Sequence, residues 1–281
     1  MAIIALLILA TVFGVYILLK QPRADRDWSL PLSKVAQFEQ TDTEGTYTLQ
    51  NLRAWEYGLE GALRKEWETA QVNVDQLEEV WFFIEPFAGT PLFAHSFLSF
   101  VFVDEEGERQ SISISVEARK EQGEAYSPLR GVFRAYELLY VWSTEKDILS
   151  RIAIKLDHPL YAYKLQLSQD RAAAIFNHFI NRTNDLASTP RFYSTLHSNC
   201  TNELAKAVND AFPGALPWHR SWIITGRSAK WLHKLGFVGD EDMSFEALTK
   251  RSNIKPYIKE NAEMPADVFD DMWRQSLTAN F

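Results

Sequence analysis

The segment Ala94–Glu121 constrains the fold most, because two runs of alternating apolar residues flank one short polar turn. The turn, Glu-Glu-Gly at 105–107, is typical of a three-residue hairpin loop with glycine in the left-handed position. Under that loop Leu98 opposes Ile114, so apolar residues pair with apolar residues on one face. A two-residue loop would instead pair Leu98 with Ser115 and mix the faces, so we predict the first register.

This register puts a histidine beside a carboxylate. His95 falls opposite Glu117, on the face that also carries Ser111, Ser113 and Ser115. A carboxylate fixes the tautomer of a neighbouring imidazole and raises its basicity. A nucleophile and its base need such a third group. The alternative is a structural His–Glu pair at the end of a sheet.

The one cysteine of the chain lies in LHSNCTNELAKAV, residues 196–208, where a polar loop becomes a predicted helix. Ser198 or Asn199 is a suitable N-cap, so Cys200 falls in the first helical turn. The unpaired amides and the helix dipole there favour a thiolate. Asn199 and Asn202 are candidate side-chain donors to an oxyanion. The alternative is a buried, inert cysteine.

Among the six histidines, His95 alone has a carboxylate partner that the sequence identifies. His197 precedes the cysteine across a loop of unconstrained geometry, and His178 lies on a predicted helix face. We therefore pair Cys200 with His95 and Glu117 as candidate catalytic residues. Papain-like and NlpC-like thiol enzymes run in the order Cys, His, polar residue, so this chain predicts a permuted order. Triad geometry does not depend on chain order.

A strand-rich middle followed by helices predicts an α+β fold, with an antiparallel sheet packed on helices. The amphipathic pattern of Ser168–Leu186 predicts one of these helices. The expected organisation has four parts: a transmembrane anchor at 1–20, a linker at 21–35, a thiol-enzyme core at 36–214, and a helical or irregular extension at 215–281 that packs on the core.

The N-terminal run Ala2–Leu19 has eighteen residues and no charge, close to the lower limit of about 17 for a transmembrane helix. A cleaved signal peptide is the alternative, but no basic residue precedes the run and no small-x-small site follows it. We therefore expect one uncleaved transmembrane helix. The basic residues Lys20, Arg23 and Arg26 would place the following side in the cytoplasm under the positive-inside rule.

The composition excludes some classes of partner and site. The formal net charge is −8, and an acidic chain without a basic cluster is not typical of nucleic-acid binding. One cysteine excludes a Cys-rich metal site, and the histidines lack metal-binding spacing. We expect no metal and no other cofactor.

Six spaced segments over about residues 25 to 212 carry a family resemblance: DRDW (Asp25–Trp28), NLRAWEY (Asn51–Tyr57), AHSFLSFVF (Ala94–Phe102), ISVEARKEQGEAYS (Ile114–Ser127), GVFRAYELLYVW (Gly131–Trp142) and RFYSTLHSNCTNEL (Arg191–Leu204). Through their combination the chain resembles the Lnb-type lipoprotein N-acyltransferase domain family of bacteria. Residues beyond about 215 have no counterpart in this resemblance.

The resemblance implies an enzyme anchored in the bacterial inner membrane by a single pass, with its catalytic domain in the periplasm. It implies a thiol-dependent acyl transfer from a phospholipid to the N-terminal amine of a diacylglyceryl lipoprotein. The family's histidine, acidic residue and cysteine fall on His95, Glu117 and Cys200. The family's polar segment falls on Arg119, Lys120 and Tyr126. We interpret these residues as walls of the site or as contacts to a lipid headgroup. Structural ion pairing is the alternative.

A lipid substrate requires apolar surface near the site. The segment Pro217–Thr225 is a candidate for contact with the membrane interface through Trp218, Trp222 and Ile223, and ordinary core packing is the alternative. Two other functions are alternatives to acyl transfer. One is a hydrolase, a peptidase or amidase with the same Cys–His pair, and the other is an anchored binding module without catalysis.

Overall fold

The computed structural model describes residues 2–87, 89–240 and 242–278 of the 281-residue chain. Parts of the expected anchor and extension (Met1, Glu241 and residues 279–281) lie outside the described residues. The strands are β1 (Gln37–Gln40), β2 (Thr46–Gly58), β3 (Gly61–Asn73), β4 (Leu77–Pro86), β5 (Ala94–Val103), β6 (Arg109–Arg119), β7 (Glu137–Thr144) and β8 (Tyr161–Lys164). The helices are α1 (Ala2–Leu19), α2 (Pro128–Val132), α3 (Glu145–Ser150), α4 (Gln169–Ser188), α5 (Cys200–Ala211), α6 (Ser228–Lys234), α7 (Phe245–Arg251), α8 (Lys255–Glu260) and α9 (Ala266–Thr278).

The strands form one eight-stranded sheet in the order β1-β2-β7-β6-β5-β4-β8, and β3 pairs with β2. The chain is therefore α+β, but the sheet is mixed. The expectation of an antiparallel sheet is wrong at one junction, where β2 and β7 pair in parallel at Arg53 and Ser143. Strands β4, β5, β6 and β7 are successively antiparallel. The last of them, β7, lies next to β2 and runs in the same direction as β2, so this pair is parallel.

The β5–β6 hairpin has the predicted register, with Leu98 opposite Ile114 and Phe97 opposite Ser115. Gly107 closes the turn with φ of 87°, and its amide donates to the carbonyl of Asp104 at 3.1 Å. A side chain is strained in this left-handed conformation, so glycine at this position specifies the loop length. The loop length in turn determines which residues share each face.

Each face of the sheet packs into its own core. On one face Phe100 contacts Phe176 of α4, with ring centroids 4.9 Å apart. On the other face Phe97 stacks on Phe83 at 4.7 Å, and Trp273 of α9 covers this pair. Successive strand residues point to opposite faces, so one hairpin serves both cores.

The expected transmembrane helix is wrong. Among the residues that the structure describes, no helix is both long and apolar enough to cross a membrane.

Candidate active site

The cysteine lies where α5 begins, next to the start of β5. Cys200 is the first residue of α5 and is 6% exposed. The hydroxyl of Thr201, the next residue, lies 2.9 Å from that of Ser96 and ties the start of α5 to the start of β5. The Cys200 Sγ consequently lies 4.0 Å from the carbonyl oxygen of Ala94. His95 is the residue between Ala94 and Ser96, so the fold brings the predicted pair together.

A serine links the histidine to its carboxylate. The Nε2 atom of His95 lies 2.7 Å from the Oγ of Ser115, and this hydroxyl donates to Oε1 of Glu117 at 2.7 Å. The direct separation of His95 Nε2 from Glu117 Oε1 is 3.5 Å. Sequence analysis places Ser115 on the correct face but misses this role. The signal was the spacing of two residues between Ser115 and Glu117 along β6, which puts both on the histidine's face.

The electrostatics favour an ion pair between the thiol and the imidazole. Burial acts to lower the pKa of His95, but the charge of Glu117 and the contact with Cys200 outweigh it and raise the pKa to about 9. Burial acts to raise the pKa of Cys200, but the hydrogen bond and charge of His95 outweigh it, so this pKa lies below its ordinary value. A thiolate beside an imidazolium is the reactive form of a catalytic cysteine.

The pair opens into a cavity of about 500 Å³ that is also lined by Glu117. One wall holds Tyr126 and Tyr193, whose hydroxyls lie 3.2 Å apart. At the rim, three apolar side chains are partly exposed: Phe93 at 46%, Leu196 at 37% and Ile223 at 37%. A concave site with a reactive pair inside and apolar side chains at its mouth suits a substrate that is largely apolar.

The two predicted oxyanion donors have other partners. The side chain of Asn199 caps α5 by accepting from the amide of Asn202 at 2.9 Å. Its own amide donates to the carbonyls of Thr195 and Trp222, each at 2.8 Å. Asn202 also donates to the carbonyl of Trp222, and it does not line the cavity. These contacts give both side chains a structural role, and the amides of the first helical turn are left as the candidate oxyanion donors.

The three predicted residues of the polar segment, Arg119, Lys120 and Tyr126, differ in whether they line the cavity. Lys120 and Tyr126 line the cavity, whereas Arg119 does not. The buried guanidinium of Arg119 donates to the carbonyls of Leu32 and Ser33 at 2.9 and 2.7 Å. Its burial lowers the pKa to about 10. The prediction of Arg119 as a site wall therefore does not fit its position, because the side chain points toward the N-terminal segment.

The three predicted interface residues also differ. Trp218 is 70% exposed, and Ile223 lies at the rim of the cavity. Trp222 is half-buried and lines a small apolar cavity beneath α5, so it packs inside the protein. Contact with a lipid surface therefore remains a prediction for Trp218 and Ile223, and the position of Trp222 agrees with the core-packing alternative.

A second His–Glu pair lies in the same cavity, and sequence analysis missed it. Glu85 of β4 is the cross-strand partner of His95 on the side away from β6. Its Oε1 lies 2.6 Å from Nδ1 of His158, which follows the π-helical turn Arg151–Lys155. Seventy-three residues separate the members of this pair, so no local pattern in the sequence could have found it.

Comparison with known proteins identifies the family. The family model described as Lnb N-terminal periplasmic domain matches residues 64–225, which are 162 of the 281 residues. The matched range contains His95, Ser115, Glu117 and Cys200. No curated protein and no solved structure matches the chain. The chain therefore belongs to the Lnb N-terminal periplasmic domain family and is a periplasmic protein of that family.

Proposed function

We propose that this protein is a cysteine-dependent acyltransferase of the bacterial envelope. It transfers an acyl chain from a phospholipid, through a thioester on Cys200, to the N-terminal amine of a diacylglyceryl lipoprotein. The observation that carries this proposal is the buried thiol at a helix start, in contact with His95, whose far side is held by Ser115 and Glu117.

The first half-reaction forms the thioester. The Cys200 thiolate attacks the carbonyl carbon of a phospholipid ester, and the backbone amides at the start of α5 stabilise the oxyanion. The intermediate collapses by breaking the ester C–O bond. The departing alkoxide takes the proton from the imidazolium of His95, so a lysophospholipid leaves and a neutral imidazole remains.

The second half-reaction forms the amide. The neutral amine of the lipoprotein attacks the thioester carbonyl, and the imidazole of His95 accepts the proton that the nitrogen loses. The C–S bond breaks and restores the thiolate beside the imidazolium. The carboxylate of Glu117, acting through Ser115, stabilises the charge that His95 gains in this step.

The rim of the cavity favours a lipid over a polar peptide. Phe93, Leu196 and Ile223 line the Cys200 cavity and present apolar surface to solvent. Exposed apolar side chains grouped at a binding site suit an apolar ligand. A hydrolase would use the same pair with water in place of the amine, and this rim does not assist a polar cell-wall peptide.

The thioester is the direct test of the proposal. Purified protein incubated with phosphatidylglycerol should gain the mass of one acyl chain on Cys200, and hydroxylamine should remove it. Cys200→Ala protein should gain no such mass. In cells that lack their usual acyltransferase, expression of the chain should add an N-acyl group to lipoproteins, as read by mass spectrometry. Absence of both the adduct and the N-acyl group would overturn the proposal.

A further inference from the structure

The positively charged side chain of Arg151 lies in the same cavity as the candidate catalytic pair. Arg151 lines the Cys200 cavity, and among the described residues its guanidinium makes no hydrogen bond or ion pair. The buried Arg53, by contrast, forms an ion pair with Asp147 at 2.8 Å. The nitrogens of Arg151 are not among the buried side-chain atoms that lack a partner, so they are accessible to a ligand that enters the cavity.

The backbone at this position is also unusual. Arg151 begins the π-helical turn Arg151–Lys155, which continues α3. π-Helical turns are rare in proteins, and those that do occur frequently lie at functional sites. Here the turn lies against the face of the sheet that carries Glu117, whose pKa the charge of Arg151 helps to lower after burial acts to raise it.

The two carboxylates that line the cavity, Glu85 and Glu117, already have hydrogen-bond partners within the protein. Glu117 contacts Ser115 and His95, and Glu85 contacts Nδ1 of His158. The bond to Glu85 raises the pKa of His158. It uses Nδ1, and within the described part of the chain Nε2 of that ring makes no hydrogen bond and can donate to a ligand. Lys120 lines the same cavity. The cations that remain for a ligand are therefore Arg151, His158 and Lys120.

We infer that Arg151, assisted by His158 and Lys120, binds the phosphate of the glycerophospholipid donor. This inference rests on the proposed function. A planar guanidinium binds phosphate oxygens through two parallel hydrogen bonds. Because the phosphate and the reacting esters belong to one glycerol unit, a phosphate site must lie in the same cavity as Cys200. Arg151 meets this requirement.

The test compares two acyl donors that differ in the phosphate. Phosphatidylglycerol and diacylglycerol with identical acyl chains are presented in the same detergent micelles, and acylation of Cys200 is followed by intact mass. Arg151→Gln should lower the ratio of kcat/KM for phosphatidylglycerol to that for diacylglycerol at least about tenfold. Arg151→Lys should restore part of the ratio. Lys155→Gln removes a charge from the same turn outside the cavity and should leave the ratio unchanged.

An equal loss for both donors in Arg151→Gln would overturn the inference, because Arg151 would then act through Glu117 rather than on the phosphate. A second measurement separates this failure from that of the proposed function. Calorimetry with glycerol 3-phosphate should detect binding to Cys200→Ser protein and weaker binding after Arg151→Gln is added. Such binding without any acylation would keep the anion site and reject the acyltransferase, whereas acylation with an unchanged donor ratio would reject only the anion site.

Discussion

Replacing Ser115 by alanine isolates the hydrogen-bonded link between Glu117 and His95. The substitution removes two contacts of 2.7 Å, and the direct His95–Glu117 separation of 3.5 Å leaves the carboxylate charge in place. Ser115 is 1% exposed, so alanine leaves only a small cavity where the hydroxyl was. The variant therefore tests the link without testing the charge.

The expected change in the pKa of His95 follows from the strength of a hydrogen bond to a charged group. A hydrogen bond to a charged group contributes about 1.5–3 kcal/mol, and one pKa unit corresponds to about 1.4 kcal/mol. The pKa of His95, about 9 in the intact protein, should therefore fall by about one to two. The imidazolium then loses its proton at lower pH, the Cys200 thiolate loses its partner, and the pKa of Cys200 rises.

Alkylation by iodoacetamide measures this change without a lipid substrate, because Cys200 is the one cysteine of the chain. At pH 7 the rate constant for Ser115→Ala should fall about tenfold, and its pH profile should move to higher pH. Ser113→Ala is the matched control. Ser113 lies on the same face, is fully buried, and its hydroxyl has no hydrogen-bond partner among the described residues. If both variants keep the wild-type profile, Ser115 does not couple Glu117 to His95.

Three further substitutions test other parts of the structure. His95→Ala should abolish acyl transfer and move the alkylation profile of Cys200 to higher pH, since only the hydrogen bonds with Ser96 then oppose the effect of burial on the pKa of Cys200; an unmoved profile would contradict the ion pair. Arg119→Ala should lower the free energy of unfolding by about 2–4 kcal/mol in a urea titration, with little change in alkylation at 25 °C; a large loss of alkylation in folded protein would return Arg119 to the site. Gly226→Ala should lower the melting temperature, because its Cβ would lie 1.9 Å from the carbonyl oxygen of Pro91; an unchanged melting temperature would contradict that close approach.

The pH dependence of the reaction has a direction set by the same pair. The pKa of His95 is raised, so its stabilising contribution is fully present below the ordinary value of 6.5 and is lost as pH rises through about 9. The lowered pKa of Cys200 means that the thiolate forms below the pH at which a free thiol ionises. Acyl transfer should therefore decline as pH rises past about 9, when the His95 proton needed by the leaving group is lost.

The hairpin and the start of the cysteine helix could be predicted because both depend on neighbours in sequence. Glycine in the turn specifies the register of β5 and β6, and the register places His95 and Glu117 on one face. Asn199 caps the helix three residues before the amide it bonds, as a local motif does. The expected transmembrane helix was wrong, since a run of apolar residues predicts a helix more securely than it predicts a membrane crossing.

The sequence by itself therefore determined the register of the central hairpin and the position of Cys200 at a helix start. Both follow from contacts between residues close along the chain. The tertiary structure alone decided that Ser115 bridges His95 and Glu117, that Arg119 points away from the cavity, and that Arg151 points into it. These directions depend on side-chain packing between elements far apart in sequence, which no local pattern encodes.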